Sequence, residues 1–165
     1  MSFKTTNVGS ISEEMYYYIQ GLLPEGSTIL EFGSGEGTRE LARQYKMISI
    51  EHDYNWVGEY DSKYYYAPLV DGWYDVTVVS AAATEDFDLL LIDGPPAHHP
   101  RIEKARKGFW KNIDLFRPYI DNKPIIVDDV QRPNDAANLV LIAKTLKREF
   151  ELVDCADGKQ FGVIL

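Results

Sequence analysis

Ile29-Leu30-Glu31-Phe32-Gly33-Ser34-Gly35-Glu36-Gly37-Thr38, followed by Ile48-Ser49-Ile50-Glu51-His52-Asp53, decides the reading of the fold. An apolar run leads into Gly-x-Gly-x-Gly, and a second apolar run ends in an acid. This pattern describes a buried strand, a tight turn, a helix and a neighbouring strand with a carboxylate at its tip. Glycines let the backbone turn sharply and let a ligand approach closer than a Cβ would permit. Glu51 stands where nucleoside-binding α/β folds place the acid that grips ribose hydroxyls. The stretch therefore points to a nucleoside ligand.

The details of the turn narrow the choice. A dinucleotide site wants Gly-x-Gly-x-x-Gly, with the pyrophosphate on the helix N-terminus. Here the glycines are Gly33, Gly35 and Gly37, with Glu31 before the turn and Glu36 inside it. Two carboxylates would repel a pyrophosphate; they suit a positively charged ligand, such as the amino group and sulfonium of S-adenosylmethionine. The plain alternative is a glycine turn serving only the packing of a parallel α/β domain. The pattern Leu30-Glu31-Phe32-Gly33-x-Gly35-x-Gly37-Thr38 resembles motif I of the class I S-adenosylmethionine-dependent methyltransferases, and Glu51 matches that family's ribose-binding acid. The resemblance implies a cofactor site built from Glu31, Gly33, Ser34, Gly35, Gly37, Glu51, His52 and Asp93.

Working outward, Ser10 and Glu13 form a capping-box pattern opening a helix over 10–23, expected to cover the site. Strands are expected at 28–32, 47–51, 64–67, 86–93 and 124–127, with helices at 38–45, 54–60, 101–116 and 133–147. On the helix over 101–116, Ile102, Ala105, Phe109, Ile113 and Phe116 share a face; on the helix over 133–147, Ala136, Leu139, Val140, Ala143 and Leu146 point inward. Residues 150–165 read as a β-hairpin. Alternating strands and helices predict an α/β, doubly wound, mostly parallel sheet. The closing antiparallel hairpin makes it the seven-stranded methyltransferase variant, with helices on both faces and one domain over 1–165.

Ligands of open α/β sheets bind beyond the carboxyl ends of the strands. There the sequence places Glu31, Glu51, Asp93, Asp128 and Asp129. Asp93, Asp128 and Asp129 end two strands expected to be neighbours, and converging carboxylates need a cation or protons. Their hard oxygens favour Mg²⁺ or another divalent cation of that kind. The arrangement is similar to the metal-dependent O-methyltransferases, whose metal is held by an Asp after strand four and an Asp-Asn pair after strand five. Here an acid replaces the Asn. Ile92-Asp93-Gly94-Pro95-Pro96 together with Gly72-Trp73-Tyr74 also resembles a less characterised branch of the superfamily. His98 and His99 follow strand four, where His98 is a candidate base. Asp93 and Asp128 are the other candidate catalytic groups, set near the sulfonium or orienting the acceptor. His52 lines the adenosine pocket or faces solvent.

The expected activity is methyl transfer to a small-molecule acceptor, with metal-assisted O-methylation as its finer form. The competing reading is a catalytically degenerate nucleoside-binding scaffold or subunit. A net charge of −9 opposes non-specific nucleic-acid binding. One cysteine, Cys155, forms no internal disulfide, and no apolar run is long enough to span a membrane. A cytoplasmic protein is expected, with no membrane partner; a homo-oligomer stays open.

Overall fold

A computed structural model describes residues 3, 10–96 and 105–165. The elements run α1 (Glu13–Leu22), β1 (Thr28–Phe32), α2 (Glu36–Leu41), β2 (Lys46–Glu51), β3 (Lys63–Tyr66), β4 (Leu69–Val70), β5 (Trp73–Tyr74) and α3 (Val76–Ala83). They continue with β6 (Leu89–Ile92), α4 (Gly108–Lys111), β7 (Ile125–Val127), α5 (Pro133–Leu146), β8 (Phe150–Asp154) and β9 (Gln160–Ile164). The main sheet has the order β3-β2-β1-β6-β7-β9-β8. Its first five strands are parallel, and β9 runs antiparallel to both β7 and β8. The expected seven-stranded, mostly parallel sheet with a C-terminal hairpin is thus present.

The chain leaves β1 toward β2 and β3, then returns to β6 on the other side of β1. The order in which strands are added reverses between the parallel neighbours β1 and β6, which opens a crevice at their carboxyl ends. Period-two alternation buries both faces of the central strands. Leu30, Phe32, Leu90, Ile92, Ile125 and Val127 join one core, while Ile29, Leu89, Leu91 and Ile126 join the other with Met15 and Ile19 of α1. Phe32, directly before the glycine turn, is ringed by Trp73, Tyr74, Phe109 and Phe116 at centroid distances of 5.3–5.8 Å. The β4–β5 ribbon supplies the first two of these rings, so the Gly72-Trp73-Tyr74 element shores up the floor beneath the turn.

Several expectations are corrected. The N-cap of α1 is Ser12, whose Oγ accepts from Met15 N at 3.1 Å; Ser10 precedes the helix, and the Ser10–Glu13 box does not form. The helix expected over 101–116 is, in its described part, only α4 between 3₁₀ turns at Ala105–Lys107 and Ile113–Leu115. Asn112 breaks it by turning its side-chain amide back onto Gly108 O at 2.9 Å. Phe109, Ile113 and Phe116 are nonetheless buried as expected. The expected helix at 54–60 is a single 3₁₀ turn, Tyr54–Trp56, while α3 and the β4–β5 ribbon were not anticipated. On α5, Val140 is exposed and Asn138 is fully buried, so the inward stripe is rotated from the one expected.

Gly108 packs so tightly on Trp73 that an added Cβ would overlap the indole ring. Gly108→Ala is therefore expected to destabilise the fold by about 1–3 kcal/mol, the usual cost of overpacking a filled core. Urea denaturation of the two proteins checks this, and equal midpoints would contradict it.

Candidate functional site

The glycine turn is built around two buried glutamates. Gly33 leaves β1 with φ 84°, a region glycine enters freely, and a Cβ there would stand 3.2 Å from Asp93 O. Ser34 then donates both its N–H (2.9 Å) and its hydroxyl (2.8 Å) to Glu51 Oε2. Asp53 N donates to Glu51 Oε1 at 2.8 Å. His52 Nδ1 lies 3.2 Å from Glu51 Oε1 without hydrogen-bond geometry. Burial favours the neutral acid, but the His52 imidazole, the Asp53 and Ser34 amides and the Ser34 hydroxyl outweigh it. Glu51 is thereby held below its ordinary value and stays charged.

Glu31 sits in the opposite regime. Its Oε1 accepts from Thr38 Oγ1 and Ser49 Oγ, both at 2.6 Å, and Ser49 Oγ lies 2.7 Å from Ser62 Oγ. Burial pushes its carboxyl up to about 7 against these two hydroxyls, with the Glu51 charge adding to the rise. Thr38 Oγ1 also accepts from Gly35 N at 3.0 Å, which ties Glu31 to the start of α2.

The three glycines have different reasons. Gly35 has an extended φ of 179° and nothing within 4 Å of an added Cβ, so neither strain nor packing demands glycine there. Gly37 is a packing glycine: a Cβ would stand 2.9 Å from Ile11 Cγ1. Through that contact the segment leading into α1 forms one wall of the site. Within the stretch 10–23 expected as a cover, Ser10 and Ile11 line the cleft, while Met15 and Ile19 of α1 pack into the core.

These groups open onto a cleft of about 660 Å³ that reaches from Glu51, His52, Asp53 and Trp56 to Asp93, Arg106 and Asp129. Glu31, Glu36, Glu51, Asp53, Asp93 and Asp129 contribute six carboxylates, against the cations Arg106 and Arg132. The cleft is thus acid-rich, and its position matches the crevice beside β1 and β6.

At its far end the strand register brings the predicted acids together. β6 and β7 pair with Ile92 opposite Val127, and Asp128 N donates to Ile92 O at 3.0 Å. One carboxylate oxygen from each of Asp93, Asp128 and Asp129 lies within 4.8 Å of the others. Asp93 and Asp129 line the cleft; Asp128, 2% exposed, stands behind them and is not among the lining residues. Burial, then the Asp93 and Asp129 charges, pushes the Asp128 carboxyl well above its usual range. Burial likewise raises Asp93, to about 6, against the lowering pull of Arg106.

The residue that organises this end was missed from the sequence. Arg106, 6% exposed, donates through Nη2 to Asp93 O (2.9 Å) and Asp93 Oδ1 (3.3 Å) and through Nη1 to Asp129 Oδ2 (3.2 Å). Its Nε donates to Pro95 O at 3.1 Å, and Nη1 stands 3.8 Å from the buried Asp135. Arg132 binds Asp129 at 2.9 Å and Asp135 at 2.7 Å. The Arg132–Asp135 spacing is a readable one-turn helical pair. Nothing local marks Arg106, whose partners lie on distant strand ends. His98 and His99 lie outside the described residues.

Neither the family models nor the curated proteins match this chain. Solved structures do match it in fold. A methyltransferase from Pyrococcus furiosus superposes over 99% of this chain and 87% of its own with a TM-score of 0.60 at 12% identity. The human methyltransferase 10 domain containing protein covers 98% and 82% with a TM-score of 0.56 at 9% identity. The E. cuniculi Mtq2–Trm112 complex covers 99% and 97% with a TM-score of 0.50 at 14% identity. The chain therefore has an α/β methyltransferase-like fold.

The raised Glu31 carboxyl has a defined pH signature. Glutamate ionises near 4.5 in the unfolded chain and at about 7 here, so between those values the folded state holds the extra proton. Stability must then fall as pH rises through this window. Glu31→Gln, whose amide oxygen still accepts from Thr38 and Ser49, removes that contribution. Denaturation of both proteins at the two ends of the window is expected to show a shallower fall in the variant; parallel curves would overturn the assignment.

Proposed function

We propose that this chain binds S-adenosylmethionine in the acid-rich cleft and transfers its methyl group to an acceptor. The observation that carries the reading is the tie between Glu51 and the glycine turn: Ser34 donates twice to the carboxylate at the tip of β2, which faces the cleft. Glu51 Oε2 already accepts from Ser34 twice, whereas Oε1 takes one described hydrogen bond, from Asp53, and has capacity for a ribose hydroxyl. Gly35 adds an independent argument. With no strain and no neighbour to explain it, its missing side chain leaves a cradle that a Cβ would fill.

The charge of the cleft agrees with a cationic ligand. The bound cofactor would supply an electrophilic methyl on a sulfonium, and the protein's part is then chiefly positioning and proton removal. Glu36 and Asp93 attract the positive end of the ligand. Trp56 lines the Glu51 end of the cleft and is the aromatic side chain there for adenine to pack against. Asp93 lines the cleft and titrates at about 6, so at neutral pH it can accept a proton from an acceptor hydroxyl or amine. His98, outside the described residues, keeps its proposed place as an alternative base.

The acceptor is the undetermined half. The E. cuniculi complex is described as responsible for methylation of the eRF1 translation termination factor, a protein acceptor. Such neighbours lend no support to the expected small-molecule acceptor or to the expectation of no nucleic acid, so the assay spans protein, RNA and small-molecule pools.

Calorimetric titration of S-adenosylhomocysteine into the protein, with NAD⁺ as control, tests the reading. Binding of the former alone is expected. Loss of the ionised acceptor in Glu51→Gln should weaken it about 10- to 100-fold, the worth of a hydrogen bond to a charged group. Gly35→Ala should keep the parent's stability while losing affinity. A folded protein that binds no S-adenosylhomocysteine refutes the proposal; binding without turnover on any acceptor pool favours the degenerate scaffold.

A further inference from the structure

Three carboxylates at adjacent strand ends invite a divalent ion, and the resemblance to metal-dependent O-methyltransferases implies one. The donor set does not fit it. Magnesium needs near-octahedral oxygens at about 2.0–2.1 Å that are free to turn toward it. Two of the three acids already point their oxygens at a fixed positive charge: Arg106 Nη2 meets Asp93 Oδ1 at 3.3 Å and Nη1 meets Asp129 Oδ2 at 3.2 Å. Asp129 Oδ2 is shared further with Arg132 at 2.9 Å. The guanidinium cannot easily withdraw, because Nε is pinned to Pro95 O at 3.1 Å and Nη2 to Asp93 O at 2.9 Å, in a side chain 7% exposed. A dication sharing those oxygens would sit against a charge that neither moves nor deprotonates. Of the other oxygens, Asp129 Oδ1 accepts from Gln131 Nε2 at 3.2 Å and Asp128 Oδ1 from Asp129 N at 2.8 Å, while Asp128 Oδ2 is buried without a partner.

We infer that Arg106 takes, as a permanent internal cation, the place a divalent ion would hold among Asp93, Asp128 and Asp129, so that this cluster is compensated without metal. Arg106 is then a positioning residue. It fixes the Asp93 carboxylate, the backbone of the loop that follows β6 and the Asp129 side chain from β7 in one constellation. The inference rests on geometry alone and is tested on protein without cofactor, so it stands or falls apart from the methyl-transfer reading.

Titration with Mn²⁺, followed by the electron paramagnetic resonance signal of the free ion, gives the test. The parent protein is expected to bind no stoichiometric Mn²⁺ at sub-millimolar concentration and to keep its melting temperature when the ion is added. Arg106→Met keeps an apolar stem and removes the charge. It is expected to gain one Mn²⁺ site at least tenfold tighter than any in the parent, with a melting temperature that rises on Mn²⁺ addition. Asp93→Asn in the same background should abolish that gain. A one-to-one site in the parent that is lost in Asp129→Asn overturns the inference. So does an Arg106→Met protein that folds without Mn²⁺ and binds none. Should Arg106→Met not fold without metal, refolding on Mn²⁺ addition supports the inference. Failure to refold with Mn²⁺ leaves the decision to the parent titration and to Arg106→Lys, which keeps one charge and should still exclude the ion.

Discussion

Two strand tips that nearly touch set the geometry of this protein. Gly33 follows β1 and Gly94 lies just beyond β6, and a Cβ on either would crowd the other's backbone: 3.4 Å to Gly94 Cα from Gly33, 3.0 Å to Gly33 N from Gly94. Gly33 N reaches across to Ile50 O at 2.9 Å on the opposite side, so the turn is gripped between β2 and β6. With that pinch in place, the chain must climb away as the Ser34–Gly35 turn, and Asp93 must face the same crevice as Glu51. The aromatic ring around Phe32 supports the pinch from below, and the β4–β5 ribbon exists in part to complete that ring.

Buried charge is managed in two different ways at the two ends of the cleft. At the β2 end, the His52 imidazole, two amides and a hydroxyl hold Glu51 ionised, while burial raises the Glu31 carboxyl to about 7 against two hydroxyls. The two acids there belong to separate hydrogen-bond sets. At the β6–β7 end, acids from two neighbouring strands and the first turn of α5 converge, and dipoles alone would not offset their repulsion. Full charges enter instead, from Arg106 and Arg132. The buried ion cluster fixes the arrangement of loops more than it adds stability, since desolvating so many charges consumes much of their attraction.

What could be read from the sequence follows the range of the signals. The parallel sheet, the hairpin, the glycine turn and the acids at strand ends all rest on local periodicity or on motifs within one βαβ unit, and all are present. Glu51 and Asp93 fall where strand ends alone would put them. The misses share a cause in tertiary contact. Ser12 displaced Ser10 as the cap because entry into α1 is fixed by Ile11 packing on Gly37. The helix after residue 105 is cut short where Asn112 folds back onto Gly108. Val140 looked inward by spacing, but the site end of α5 is rotated so that Asp135 and Asn138 are buried. Arg106 carries no local mark, because every group it binds lies on the loop after β6, the end of β7 or the start of α5.

The Ile11–Gly37 contact has an evolutionary corollary. The two positions share one volume: any side chain at 37 must displace the one at 11. Among relatives of this chain the pair should therefore drift together, with a bulkier residue at 37 matched by a slighter one at 11. Because that shared volume forms a wall of the cleft, such exchanges would reshape the pocket's rim while the strands beneath it stay unaltered.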